Sequence, residues 1–193
     1  LTHSGRESRP KNGAEPVIAY HHPVLDTRHD IDSDYPLITD EHLDELQWKY
    51  VEAAELAEEA GFEAVDVKAC HGYLLFELLN AFTREDSRYG GSYENRTRML
   101  KETIGKIRDE VPNIAVMCRL SVYDGVPYPC GFGMDRDGSM APDLREPVRL
   151  VEELGDLGVC MVNMAYGSPY YNPHVERPYD SPATEGYVPE EHP

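Results

Sequence analysis

The chain has 193 residues, with 36 acidic and 18 basic side chains and a formal charge of −18. So negative a surface excludes roles that depend on binding a nucleic-acid backbone or an anionic membrane. No run of about 18 apolar residues offers a spanning helix, and the length suits one well-buried domain.

Residues 1–38 read as loop, with Leu1-Thr2-His3 as the tail of a strand. His21, His22 and His29 surround Pro23 in no compact metal-ligand pattern, so they are read as an ordered loop over a site rather than a metal centre. A helix is expected from Thr39-Asp40 to Ala60. Thr39 is its N-cap, acidic residues fill its first turn, and Leu43, Leu46, Tyr50, Ala53, Ala54 and Ala57 form its packing face. Gly61 ends it.

Residues 63–68 alternate with period two, a half-buried strand. Val65 and Val67 suit its helix-covered side, which turns Asp66 and Lys68 to the other face. A short apolar helix, Leu74 to Phe82, follows. A long helix runs from Tyr93 to Glu110, capped by Ser92 and striped by Met99, Leu100, Ile104 and Ile107. Residues 114–120 read as a buried strand, with Ala115, Met117 and Arg119 sharing a face. A Gly-, Pro- and Tyr-rich loop at 122–143, a helix at 144–157, a strand at 159–164 and a loop-like tail complete the chain. Strands alternating with helices imply parallel pairing with right-handed crossovers. The fold class is therefore α/β, with chemistry expected at the C-terminal ends of the strands.

Cys70, Cys118, Cys130 and Cys160 form no CxxC pair and are expected to be buried, reduced thiols. The polar groups that could carry chemistry sit where the first full strand ends. His71 and Tyr73 can donate hydrogen bonds to a carbonyl or carboxylate oxygen, and a Tyr hydroxyl can protonate carbon. The bland alternatives are a packed strand-end aromatic for Tyr73, the same for His71, and an internal ion pair with Asp66 for Lys68. Arg119 would otherwise close a salt bridge at its strand end.

The run Val-Asp-Val-Lys-Ala-Cys-His-Gly-Tyr-Leu (residues 65–74), with Asn80-Ala81-Phe82-Thr83-Arg84 and Gly90-Gly91-Ser92-Tyr93-Glu94-Asn95-Arg96, resembles the old yellow enzyme family. The dienoyl-CoA reductase-like and enoate reductase-like branch is nearest. Leu1 to Arg6 and Cys118-Arg119-Leu120-Ser121 extend the match, which covers about residues 1–165. The resemblance implies a (β/α)8 TIM barrel of roughly 250 residues when complete. This chain is then one domain, residues 1–193, an internal fragment holding about strands three to six, with parallel strands and long βα loops.

The resemblance further implies an FMN-dependent enzyme in which NAD(P)H reduces the flavin and the flavin reduces an activated C=C bond of an enone, enoate or enoyl thioester. By residue match Tyr73 is the proton donor and His71 is both a catalytic and a substrate-binding residue. His71 takes the second position of the family's substrate-binding pair, and Lys68 stands in the place of its first His, where it can also face the flavin. Arg119 would face the flavin edge that becomes negative on reduction, and Tyr166 would border the substrate. Arg6 and His3 are given structural roles near the flavin at most. Any iron–sulfur cluster is expected only in segments outside this chain. The fragment alone is expected to be inactive, because the family's other flavin contacts come from the first strand, a Gln just before Leu1 and a phosphate site on the last two strands. A small-molecule substrate, a cytoplasmic location and homo-oligomerisation through open strand edges are expected. Two rival readings are a Schiff-base lyase or aldolase using Lys68 and a non-catalytic truncated barrel module.

Overall fold

Residues 1–10 and 13–176 are described by the structure, a computed structural model. A one-turn helix α1 (Leu25–Arg28) interrupts the N-terminal loop, and helix α2 (Asp40–Glu59) follows. Strand β1 (Ala64–Ala69), short helix α3 (Leu74–Leu79) and helix α4 (Tyr93–Glu110) come next. Then come β2 (Ala115–Tyr123), α5 (Arg145–Asp156), β3 (Met161–Tyr166) and the single turn α6 (Pro173–Glu176). Among the described residues the strands form a parallel sheet in the order β1-β2-β3. Leu1 lies beside β1 with the alternating bonds of a parallel ladder: its amino group donates to the Asp66 carbonyl, and Lys68 N donates to its own carbonyl at 3.0 Å. The expected strand tail is therefore the next strand position along the sheet, and the arrangement is a segment of a parallel α/β barrel.

Local chemistry explains the helix starts. Thr39 Oγ1 accepts from His42 N at 3.2 Å, and Ser92 Oγ accepts from Asn95 N at 3.3 Å. The stripe Met99, Leu100, Ile104 and Ile107 is at most 1% exposed and packs with Val65, Val67, Val116, Cys118 and Leu120 in one core. Each fully buried aliphatic side chain there contributes about 1.5–3 kcal/mol. On α2 the packing face also takes Val51 and a polar residue, Gln47, which is buried because it donates to both the Tyr89 hydroxyl and Glu102 at 2.9 Å.

Of the boundaries that differ from the sequence reading, three have a clear local cause. Helix α3 ends at Leu79, because the Asn80 side chain turns back to the Phe76 carbonyl and across to Asp124 at 2.7 Å. Strand β2 continues to Tyr123, because β3 pairs with it as far as Tyr123↔Tyr166. Strand β3 starts two residues late, because Val159 still bonds to Leu154 O at the end of α5.

Arg6, 1% exposed, anchors the N-terminal loop. Its guanidinium donates to Glu77 at 2.6 Å, to Asp26 and to the Tyr20 carbonyl at 3.0 Å. Glu77 also accepts from Ala19 N at 2.9 Å. The loop histidines are engaged within the same region: His21 with Asp26 at 2.7 Å and His29 with Glu7 at 2.9 Å. His22 Nδ1 accepts from Val24 N and Leu25 N, and burial pushes its pKa down to about 4, so the ring is neutral. Arg96, also 1% exposed, holds the loop before α4 through the Gly91 and Leu79 carbonyls, and lies 3.7 Å over the Phe82 ring. Among the described residues no helix is long and apolar enough to cross a membrane.

Candidate functional site

Alternation along the strands sorts the side chains as expected. Val65 and Val67 are buried against the helices, while Asp66 and Lys68 are only partly covered on the other face. Val116, Cys118 and Leu120 are buried in the same way, and Arg119 is exposed on the face opposite them. The ladder register places Lys68 and Arg119 side by side on β1 and β2. Two cations on adjacent strands repel, and Lys68 shows it: burial first, then Arg119, pushes its ammonium below the ordinary lysine range.

Lys68 does not pair with Asp66. Its Nζ sits 3.4 Å from the centroid of the Tyr73 ring, a cation–π seat. Cys70 is fully buried, and burial raises its thiol to about 11 against the pull of Lys68 and Arg119. It is a neutral thiol at neutral pH and not a nucleophile.

After Cys70 the chain turns sharply through two residues of positive φ, His71 at +59° and Gly72 at +73°. A left-handed conformation costs a non-glycine residue about 1–2 kcal/mol, and strain of this kind concentrates at functional sites. Gly72 has no substitute: a Cβ there would lie 2.8 Å from Tyr170 Cδ2. The turn delivers Tyr73 to the N-cap of α3, half-buried, with its hydroxyl free of any capping duty. Burial, nearby Glu7 and a side-chain hydrogen bond with Tyr73 all raise the Tyr170 phenol above its ordinary range.

His71 Nε2 lies 3.4 Å from Glu176 Oε1 of α6, with the two side chains 15% and 22% exposed. Sequence reasoning missed Glu176, because the tail after β3 carries no periodic pattern to mark it. His3 serves the fold: burial keeps its ring below the usual histidine range, Nδ1 accepts from Gly5 N at 3.1 Å, and its carbonyl accepts from Leu74 N. Arg6 belongs to the buried ion cluster. Tyr166 ends β3 opposite Tyr123 and is 52% exposed. The tyrosine that reaches Tyr73 is Tyr170.

The structure thus brings Lys68, His71 and Tyr73 together at one strand end, with Arg119 beside Lys68. The group can offer hydrogen bonds to an oxygen, a proton to carbon, and positive charge to an anion. Arg119 has no hydrogen-bond or ion-pair partner among the described residues. An unpaired guanidinium next to a second cation fits a flavin, whose N1 and C2=O edge becomes negative on reduction.

The sequence profile of the NADH:flavin oxidoreductase / NADH oxidase family matches residues 1–136. An NADH:flavin oxidoreductase of Gibberella zeae is 33% identical over 131 residues, covering 67% of this chain and 31% of that protein. An NADPH dehydrogenase of Clostridium acetobutylicum is 35% identical over 131 residues, covering 64% and 36%. The chain therefore spans about a third of the length of these relatives. Among solved structures, the old yellow enzyme homologue from Zymomonas mobilis superposes with a TM-score of 0.56 at 24% identity, covering 70% of this chain and 36% of that one. A 2-naphthoyl-CoA reductase in complex with 2-naphthoyl-CoA gives 0.67 at 24% identity, covering 93% and 28%. At these identities the structures speak for the fold.

Proposed function

The chain belongs to the NADH:flavin oxidoreductase / NADH oxidase family, whose members work with FMN and NADH or NADPH, and on that premise we propose that it forms the middle of a barrel that reduces an activated carbon–carbon double bond. In this reading residues 1–193 are one part of a single flavin-binding domain, and the substrate is an enone, enoate or enoyl thioester. The observation that carries it is the joint placement of Lys68, His71 and Tyr73 at the end of β1 beside Arg119 of β2.

The chemistry the flavin supplies when bound is hydride transfer, taken from NAD(P)H and given to the β-carbon of the alkene. The chain's own residues do the rest. His71 donates to the activating oxygen of the substrate, where negative charge grows as hydride arrives. The Lys68 ammonium, held at the Tyr73 ring, adds positive charge beside that oxygen. Tyr73 Oη gives its proton to the α-carbon, and Tyr170 keeps that hydroxyl in place. Arg119 answers the charge of the reduced flavin. Tyr166 remains a candidate for the outer wall of the substrate site.

The family assignment sets aside the Schiff-base reading of Lys68. In the full-length protein, Arg119→Ala is expected to weaken FMN binding by about 1.5–3 kcal/mol, roughly 10- to 100-fold, as for loss of one hydrogen bond to a charged group. Fluorescence titration with FMN measures it, and an unchanged affinity would remove Arg119 from the cofactor.

A further inference from the structure

One row of polar side chains crosses the open face of the sheet. The ladder sets Lys68 of β1 beside Arg119 of β2, and Arg119 beside Asn163 of β3. Partners in a parallel ladder project to the same face, and neighbouring strands lie about 4.8 Å apart. The three side chains therefore stand in line, each within reach of the next. Asn163 is the polar residue of β3 on this face: Met161 before it and Ala165 after it are apolar. It is exposed, and its amide has no hydrogen-bond partner among the described residues.

Closure of a barrel turns this face into the interior. An amide enclosed there needs hydrogen bonds, because burying it without them is costly. The row supplies one of them. The side chains of Lys68 and Arg119 only donate, so Asn163 Oδ1 is the one side-chain acceptor in line with them. Its neighbour Arg119 is a guanidinium with no partner among the described residues. Repulsion from Lys68 on one flank and an acceptor on the other both favour Arg119 turned toward β3.

We propose that Asn163 is a positioning residue for Arg119 and a further contact of the cofactor: Oδ1 accepts from the guanidinium, and Nδ2 donates to the flavin edge that Arg119 meets. The proposal rests on the reading that Arg119 faces the flavin. That edge becomes more negative on reduction. A fixed cation and an amide donor beside it hold the reduced form more tightly than the oxidised one.

The test uses full-length protein with FMN and two readouts. Fluorescence titration gives the Kd of oxidised FMN, and equilibration with a reference dye gives the midpoint potential of the bound flavin. Asn163→Leu keeps the size and removes both hydrogen bonds. It is expected to weaken the binding of reduced FMN about tenfold more than that of oxidised FMN, which lowers the midpoint potential by about 30 mV. Asn163→Asp keeps the acceptor, removes the donor and adds negative charge, and is expected to lower the potential further. In an Arg119→Ala background the effect of Asn163→Leu is expected to shrink, because much of it passes through the guanidinium. Full additivity of the two substitutions overturns the positioning of Arg119. A potential that ignores Asn163→Leu while Arg119→Ala weakens FMN binding overturns the proposal and leaves Arg119 on the cofactor. FMN binding that neither substitution changes takes Arg119 off the cofactor, and the proposal falls with that reading.

Discussion

Tyr73→Phe is expected, under the proposed function, to lower the rate of alkene reduction by about 10²- to 10⁴-fold, the range for loss of a positioned general acid, and to leave reduction of the flavin by NAD(P)H unchanged. The substitution removes one oxygen and keeps the ring. The Lys68 ammonium, 3.4 Å from the ring centroid, retains its seat, and the Tyr73 backbone keeps its place at the start of α3. What disappears is the hydroxyl that Tyr170 contacts, which the proposed function makes the source of the α-carbon proton. Stopped-flow absorbance at the flavin band separates the two half-reactions. Equal loss in both would show that the change had disturbed the site as a whole, and no loss in either would take the proton donor's role from Tyr73.

The second large effect lies in the fold. Glu77→Ala is expected to destabilise the protein by about 3–5 kcal/mol, because it leaves a buried guanidinium without its main counter-charge. Arg6 is 1% exposed and has its Nε on Glu77 at 2.6 Å, and the Ala19 amide loses its acceptor at the same time. Glu77→Gln keeps the shape and one of the two acceptor positions, because its NH2 replaces the other oxygen, and is expected to cost less than Glu77→Ala. Urea unfolding of the full-length protein gives both values. A loss under about 1 kcal/mol for Glu77→Ala would mean that water reaches Arg6 and that the N-terminal loop is not fixed by this cluster. The site depends on that loop, since His3 bonds to the first residue of α3 immediately after Tyr73.

Much of this was legible in the chain itself. Period-two alternation put Val65 and Val67 on the covered side and Lys68 on the open side, and burial follows that division. The caps Thr39 and Ser92 start their helices as their chemistry requires. The run from His71 to Arg96 resembled one enzyme family, and the profile match includes it.

Other features depend on contacts that sequence spacing does not encode. Asp66 was the natural partner for Lys68, two residues away on the same face, yet Lys68 took the ring of Tyr73 and Asp66 Oδ1 is buried without a hydrogen bond among the described residues. The aromatic turn of chain made that seat; no strand periodicity announces it. The end of β2 resembled a loop in composition, but Ser121 and Phe132 both donate to the buried Asp124, whose carboxyl burial raises to about 7. Those bonds fix the start of the following loop against the sheet. Glu176 was one acid in a proline-rich tail until α6 folded it over His71.

The central claim is that this chain belongs to an enzyme whose flavin passes hydride to an activated alkene, and one spectrum tests it most directly. Full-length protein is loaded with FMN without oxygen, reduced with NADPH or NADH, and then mixed with cyclohexenone. The account predicts that the flavin band bleaches on reduction and returns on addition of the alkene. A protein that takes up no FMN, or whose reduced flavin the alkene leaves bleached, would contradict it and favour a barrel segment that serves binding or assembly without this chemistry.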